Sequence, residues 1–117
     1  MLQRRKHYRL PFKGTCTVVF EGRRYPSRLL DVSLKGALVE RPLEIKPEIG
    51  QAYRLEIDLE DALAAIAMEM AVAHIESGRI GLNCFSIDMD SMTHLRRLLE
   101  LNLGDPVLIE KELASLD

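Results

Sequence analysis

The chain contains no tryptophan, and aromatic residues make up only 5% of its 117 positions. Proteins that bind single-stranded nucleic acid use aromatic side chains as stacking platforms, so this scarcity argues against that class. The formal net charge of −2 does not favour a surface that binds nucleic acid in bulk either. No nucleic-acid partner is therefore predicted.

Apolar runs are short throughout the sequence. No stretch approaches the roughly 18 apolar residues of a membrane-spanning helix. The basic opening MLQRRKHYRL is not followed by the apolar segment of a secretory signal. We therefore expect a cytoplasmic protein that does not insert into a membrane.

Residue patterns that carry common catalytic or metal-binding chemistry are also missing. Cys16 and Cys84 show no Cys-x-x-Cys spacing, and the three histidines share no ligand spacing. Ser33 lies outside any Gly-x-Ser-x-Gly setting, and no Gly-rich phosphate loop is present. We expect two free, hydrophobic cysteines, no metal site, no cofactor and no enzymatic activity.

Alternating apolar residues predict a series of short strands. In YRLEIDL, Tyr53, Leu55 and Ile57 alternate with charged residues, which is the pattern of a half-buried strand. TCTVVF and RRYPSRLL flank Glu21 and Gly22, and a two-residue connection with glycine is typical of a hairpin. The predicted strands are 15–20, 23–30, 36–40, 53–59, 66–76 and 79–87.

The last predicted strand, RIGLNCFSI, follows a tight Ser-Gly turn. Strict alternation groups Cys84 with the apolar residues of one face and puts Phe85 and Ile87 on the other face. A strand that follows such a turn needs a hairpin partner immediately before the turn.

The segment before that turn, EDALAAIAMEMAVAHIE at 60–76, carries conflicting signals. Its Ala, Leu, Met and Glu content favours a helix. However, the apolar residues from Ile66 to Val72 alternate as in a strand. Because the final strand needs a partner, we predict a strand over 66–76.

The C-terminal third changes to helical periodicity. DSMTHLRRLLELNLG has apolar residues at spacings of three and four, with Asp90 or Ser91 as the predicted N-cap and Gly104 as the stop. Asp105 and Pro106 then begin a shorter predicted helix, PVLIEKELASL. Six strands followed by helices predict a mainly β protein, a small antiparallel barrel with C-terminal α-helices.

The composition fits one folded domain. The hydrophobic fraction of 47% and the charged fraction of 29% are close to the averages for soluble globular proteins. A chain of 117 residues also matches the usual size of a single core. We divide it into a flexible basic arm at 1–14, a β-barrel at 15–88 and helices at 89–117.

Two short patterns combine residues suited to a nucleotide. RKHYR places Arg5 and Arg9 in R-x-x-x-R spacing, and DVSLKG places Asp31, Ser33 and Gly36 in D-x-S-x-x-G spacing. Arginine binds phosphate through a planar fork and stacks on planar groups. An aspartate can accept hydrogen bonds from the N1–H and amino group of guanine, and glycine allows close approach to the backbone. The set is typical of a site for a guanine nucleotide with its phosphates.

In this order and spacing, the two patterns resemble those of the PilZ domain, a bacterial receptor for cyclic di-GMP. The resemblance covers nearly the whole chain, because GLNCFSIDMDSMTHLRRLLELNLGD is similar to the same region of stand-alone PilZ proteins with C-terminal helices. It implies a six-stranded antiparallel barrel, which favours a strand over a helix at 66–76.

The resemblance also implies roles for the motif residues. Arg5 and Arg9 match the two arginines that grip phosphates and stack on guanine. Asp31 and Ser33 match the polar pair that reads the guanine edge, and Gly36 matches the motif glycine. Cyclic di-GMP is thus the expected ligand.

Three further residues are candidates for the same site. The resemblance associates a basic residue at the position of Arg4 with binding of two stacked ligand molecules rather than one. Lys6 adds charge without matching a motif position. His74 lies where some relatives present an aromatic side chain against the ligand; its alternative is a half-exposed structural histidine.

The predicted function is a cyclic di-GMP receptor or adaptor that changes conformation on binding and regulates a protein partner, in motility, chemotaxis or biofilm-type signalling. One alternative is a small barrel that binds single-stranded nucleic acid through the arm. Another is a ligand-independent protein-interaction module. In the structural alternative, the arm is a solvated terminus and DVSLKG is only a polar turn.

Overall fold

The computed structural model describes residues 10–58 and 65–103 of the chain. Within these residues the chain forms six strands and one helix. In chain order they are β1 (Leu10–Phe20), β2 (Arg23–Val32), β3 (Gly36–Glu40), β4 (Ala52–Asp58), β5 (Ala65–Glu76), β6 (Arg79–Ile87) and α1 (Met89–Leu103).

The strands form a closed antiparallel barrel in the order β1-β2-β3-β6-β5-β4. Pairing of β1 with both β2 and β4 closes the barrel and leaves no free edge among the described strands. The predicted antiparallel barrel followed by a helix is confirmed. The second predicted helix, which begins at Pro106, lies outside the described residues.

The strands alternate between core and solvent. Val18, Leu55 and Ile57 are fully buried, as the period-two pattern predicts. Leu95 and Leu99 of α1 join the same core, so the helix packs on the barrel. Because a fully buried leucine contributes roughly 1.5–3 kcal/mol, these two side chains are enough to fix the helix in place.

The segment with conflicting signals is a strand. β5 covers Ala65–Glu76, and the side chains of Ile66, Met68 and Met70 are all fully buried. Pairing with β4 and β6 bonds the backbone of β5 on both sides, and its apolar face packs into the barrel core. Together these tertiary contacts outweigh the local helix propensity. The strand prediction over 66–76 is confirmed.

The β1–β2 hairpin turns at Glu21 and Gly22, as predicted. Their φ angles are 53° and 79°, and two successive positive φ values are characteristic of the type I′ hairpin turn. Glycine adopts this conformation without steric cost. The turn marks one end of the barrel, which we call the hairpin end.

The opposite end of the barrel is where β1, β3 and β5 begin and where β2, β4 and β6 finish. The DVSLKG segment connects β2 to β3 there, so we call it the motif end. β1 begins at Leu10, which places the start of the barrel before the predicted boundary at residue 15. Residues 1–9 of the predicted arm lie outside the described residues.

The predicted N-cap of α1 is wrong. The helix begins at Met89, and the cap is Asp88, whose Oδ1 accepts a hydrogen bond from the Ser91 N–H at 2.7 Å. The Ser91 hydroxyl instead donates to Asp88 Oδ2 and accepts from the backbone N–H of Ala67 at 2.9 Å. The first turn of α1 is therefore bonded to β5.

The predicted face of Ile87 is also wrong. In the β5–β6 ladder Met70 pairs with Cys84 and Glu69 pairs with Ser86, which leaves Phe85 as an extra residue. This β-bulge changes the alternation, so Ile87 packs against the core while Phe85 remains exposed. A single inserted residue reverses every face that follows it.

Candidate functional site

The DVSLKG segment forms a tight turn between β2 and β3. The Ser33 N–H donates to the carbonyl oxygen of Gly36 at 2.8 Å, and the Lys35 N–H donates to the Ser33 hydroxyl at 3.1 Å. Ser33 is only 3% exposed. Its hydroxyl therefore shapes the turn that carries the motif, as serine side chains commonly do.

Gly36 is the first residue of β3 and has no room for a side chain. A Cβ atom at this position would overlap the carbonyl oxygen of Leu82 on β6. In addition, the Cys84 N–H donates to the carbonyl oxygen of Lys35 at 2.6 Å. The glycine thus allows β6 to lie directly against the motif turn.

Asp31 lies near the end of β2, where the arm joins the barrel. Leu10 pairs with Val32, and Pro11 pairs with Asp31. Leu10, which follows Arg9 in the sequence, therefore lies beside the end of β2 that carries Asp31. The predicted site residues Arg4, Arg5, Lys6 and Arg9 themselves lie outside the described residues.

The strand registers place four residues in one row across the barrel wall. Asp31 pairs with Leu38, Leu38 pairs with Gly81, and Gly81 pairs with His74. The buried neighbours of Leu38 on β3, Ala37 and Val39, point inward, so this row faces outward. We call these four residues the outer row.

The outer row brings His74 onto the same wall as Asp31, on strands that are distant in sequence. The predicted contact of His74 with the ligand was based on its position in the sequence. The strand registers show how His74 lies relative to Asp31. Sequence reasoning did not identify Leu38 and Gly81. Pairing GALVE with RIGLN would have been the signal, because that register sets Leu38 beside Gly81.

His74 is held by a charged neighbour. Its Nε2 lies 2.8 Å from Glu76 Oε2, and Arg79 pairs with the other oxygen of Glu76. The hydrogen bond to His74 and the charge of Arg79 lower the pKa of Glu76. Across the strand, a Cβ on Gly81 would meet the Cβ of His74 at 3.0 Å. The contact with Glu76 orients the exposed ring of His74 at the end of the row.

A shallow groove of about 440 Å³ lies on the wall formed by β1 and β2. It is lined by Gly14, Thr15, Arg28, Leu29 and Leu30, the last of which precedes Asp31. Arg28 is 3.6 Å from Glu40 and largely exposed. The groove supplies an open, partly cationic surface next to Asp31.

The thiols and acidic groups show no sign of reactivity. Cys16 and Cys84 are free, and burial raises the pKa of the Cys16 thiol to about 12. Burial also raises the pKa of Cys84. Among residues 10–58 and 65–103, no group of three His, Cys, Asp or Glu side chains could hold a metal ion, and no helix is long and apolar enough to span a membrane.

A family model described as the PilZ domain matches residues 3–101, which is most of the chain and includes both motifs. The chain belongs to the PilZ domain family. The predicted family is thereby confirmed.

Solved structures agree with this PilZ fold. MotI (DgrA), an inhibitor of motility from Bacillus subtilis, superimposes with a TM-score of 0.70 at 19% identity. The alignment covers 99% of this chain but only 55% of MotI, so this chain spans about half the length of that protein.

Two isolated PilZ domains are also similar. The PilZ domain of YcgR from Escherichia coli, solved with c-di-GMP, has a TM-score of 0.66 at 15% identity, with 98% of this chain and 100% of that chain covered. The PilZ domain of CeSA from a cellulose-synthesizing bacterium has a TM-score of 0.63 at 14% identity, with 83% and 96% covered. At these identities the likeness shows the fold.

Proposed function

We propose that this PilZ domain is a cyclic di-GMP receptor that passes the ligand signal to a protein partner. The observation that carries the proposal is the pairing of Leu10 with Val32, because it joins the arginine-bearing arm to the barrel next to the DVSLKG turn. Both motifs then belong to one site. The YcgR PilZ domain was solved with c-di-GMP, which supports the choice of ligand.

The two motifs divide the recognition between them. Arg5 and Arg9 bind the phosphates and stack on guanine, since the guanidinium plane serves both purposes. The carboxylate of Asp31 accepts hydrogen bonds from the guanine edge, and Ser33 completes the polar pair from its position in the turn. Gly36 keeps the turn close to β6, so that the ligand rests on the wall.

Three other residues extend the site. Arg4 adds a further cation and sets a stoichiometry of two stacked ligand molecules, and Lys6 adds charge to the same pocket. His74 closes the far end of the outer row, where its ring can stack on a base. Because Gly81 has no side chain, the barrel surface between Leu38 and His74 leaves room for a ligand.

Binding acts through the arm. The DVSLKG turn is hydrogen-bonded to itself and to β6, so it is a fixed point on the barrel. Phosphates that bridge Arg5 and Arg9 to this turn tie residues 1–9 to the wall. The rearranged surface then changes the affinity for a protein partner, which is a ligand-driven form of switching.

The output is regulation of another protein in the cytoplasm rather than a chemical reaction. The outer row and the DVSLKG turn offer a surface on which a ligand can bind. Motility, chemotaxis or biofilm-type signalling are the processes proposed, and the motility inhibitor among the similar structures is in keeping with the first.

Isothermal titration calorimetry with cyclic di-GMP tests the proposal. Charge-assisted hydrogen bonds contribute about 1.5–3 kcal/mol each, so Arg5→Ala or Arg9→Ala should weaken binding by roughly tenfold to more than a hundredfold. Asp31→Ala should lower both affinity and preference for guanine over adenine in the ligand.

Arg23→Ala is the matched control, because Arg23 is an exposed arginine at the hairpin end. It should bind like the wild type. Absence of binding by the wild type would overturn the proposal. So would salt-dependent binding of single-stranded oligonucleotides in place of cyclic di-GMP.

A further inference from the structure

Phe85 is an exposed aromatic side chain in a chain with few aromatics. It is 63% exposed, whereas Tyr53 is buried in the core and Phe20 and Tyr25 pack against it. Among the aromatic side chains that the structure describes, Phe85 alone does not pack on the core. Its ring therefore contributes little to the stability of the barrel.

The backbone at Phe85 is locally specialised. Phe85 is the extra residue of the β-bulge between Cys84 and Ser86, and such bulges redirect side chains next to functional sites. The preceding residue is bonded to the motif turn, through the Cys84 N–H and the Lys35 carbonyl oxygen at 2.6 Å. The bulge thus fixes Phe85 beside DVSLKG.

The outer surface of the barrel next to Phe85 carries small side chains. Gly36 pairs with Asn83, and Asn83 pairs with Ala71, so the row neighbouring the outer row contains a glycine and an alanine around one exposed amide. Phe85 lies one strand across and two residues along from Gly36. With strands about 4.8 Å apart and about 3.3 Å per residue, their Cα atoms are roughly 8 Å apart.

We infer that Phe85 is an additional ligand contact, which stacks on a purine base lying over Gly36 and Asn83. The inference rests on the proposed function, since it assigns a second base-binding position in the same site. Asp31 and His74 lie along the outer row, and Phe85 lies toward the motif end from that row. The two bases of a dinucleotide then have separate contacts.

The stacking contribution gives a measurable effect. Base–aromatic stacking lost on substitution by alanine corresponds to roughly fivefold to a hundredfold in affinity. Phe85→Ala should therefore weaken cyclic di-GMP binding within this range. Phe85→Leu should bind cyclic di-GMP as weakly as Phe85→Ala, because leucine lacks the aromatic ring although it is apolar. Phe85→Trp should keep the affinity of the wild type.

The absence of tryptophan provides a direct reporter. In Phe85→Trp the new indole is the sole tryptophan of the chain, and a guanine stacked on it should quench its fluorescence on titration with cyclic di-GMP. Ile49→Trp is the control, since Ile49 is 66% exposed in the loop between β3 and β4, away from the motif end. Its fluorescence should not change.

The outcomes separate the two proposals. If the wild type does not bind cyclic di-GMP, the proposed function fails and this inference fails with it. If the wild type binds and Phe85→Ala binds equally well with no quenching in Phe85→Trp, the inference alone is overturned. Unchanged thermal unfolding of ligand-free Phe85→Ala, together with weakened binding, supports a contact with the ligand rather than a structural role.

Discussion

Gly36 lies against Leu82 so closely that a Cβ on the glycine would overlap the carbonyl oxygen of the leucine. The atom that the Cβ would meet belongs to the backbone of Leu82, so neither a rotamer change nor a small side-chain movement relieves the overlap. Gly36 also lies outside the positive-φ region. Position 36 therefore requires glycine for steric reasons. The close approach of Gly36 to Leu82 holds the motif turn against β6.

Gly36→Ala should lower the free energy of unfolding by roughly 1–3 kcal/mol, because β3 must move away from β6. It should also weaken cyclic di-GMP binding, since the DVSLKG turn moves with β3. Urea unfolding and calorimetry measure the two effects. Gly22→Ala is the control: Gly22 has a φ of 79° and an open surround, so alanine there destabilises the hairpin turn but leaves ligand binding intact. Wild-type binding by Gly36→Ala would contradict this account.

His74→Ala should weaken ligand binding by roughly fivefold or more, because a stacking ring is lost from the end of the outer row. His74→Phe should restore the affinity, since it keeps a flat ring. His94→Ala on α1 serves as the control and should bind like the wild type. Equal affinities for His74→Ala and the wild type would show that His74 does not contact the ligand.

Asp88 makes the packing of α1 sensitive to acid. The Ser91 N–H bond holds the pKa of Asp88 below its ordinary value of 3.8. A carboxylate with a lowered folded-state pKa contributes stability that is complete above the unfolded pKa and is lost as pH falls through the folded one. When the pH is lowered below about 4, the urea concentration at the unfolding midpoint should therefore fall more steeply for the wild type than for Asp88→Asn. The asparagine in this variant can cap the helix without a charge. Parallel curves for the two proteins would contradict the capping role.

In the proposed site, we expect Arg4 to set the number of ligand molecules. The wild type should bind two molecules of cyclic di-GMP per chain, and Arg4→Leu should bind one, because the second molecule loses its cationic contact. Calorimetric stoichiometry measures both ratios. Lys46→Leu is a control that removes a cation from the exposed loop after β3, and it should keep the ratio of two. A ratio of one in the wild type would remove the two-molecule proposal.

Much of the fold follows from local patterns. The type I′ turn at Glu21–Gly22 and the alternation in β4 are properties of short segments, so they can be predicted without knowledge of the rest of the chain. β5 needed a further argument, because its local propensity favours a helix and only its pairing with two neighbouring strands decides the outcome.

Two features escaped prediction for a physical reason. The bulge at Phe85 depends on the register between β5 and β6, which strict alternation cannot reveal. Asp88, Asp90 and Ser91 are all residue types that cap helices. The sequence does not show that the Ser91 hydroxyl is used instead to accept a hydrogen bond from Ala67 on β5.

The candidate site shows the same division. Asp31, Ser33 and Gly36 stand out in sequence by their spacing, and the structure places them at one turn. The relation of that turn to His74 depends on registers across four strands, which are non-local. The steric demand at Gly36 was likewise not visible in the motif, because Leu82 comes from a distant strand.

The most direct test of the central claim is a calorimetric titration of cyclic di-GMP into the wild type, Arg9→Ala and Asp31→Ala. Arg23→Ala is titrated as the control. The account predicts saturable binding by the wild type, weakened at least tenfold in Arg9→Ala and in Asp31→Ala, with Arg23→Ala unchanged. No heat of binding in the wild type, or equal affinity in all four proteins, would contradict a site shared by the arm and the DVSLKG turn.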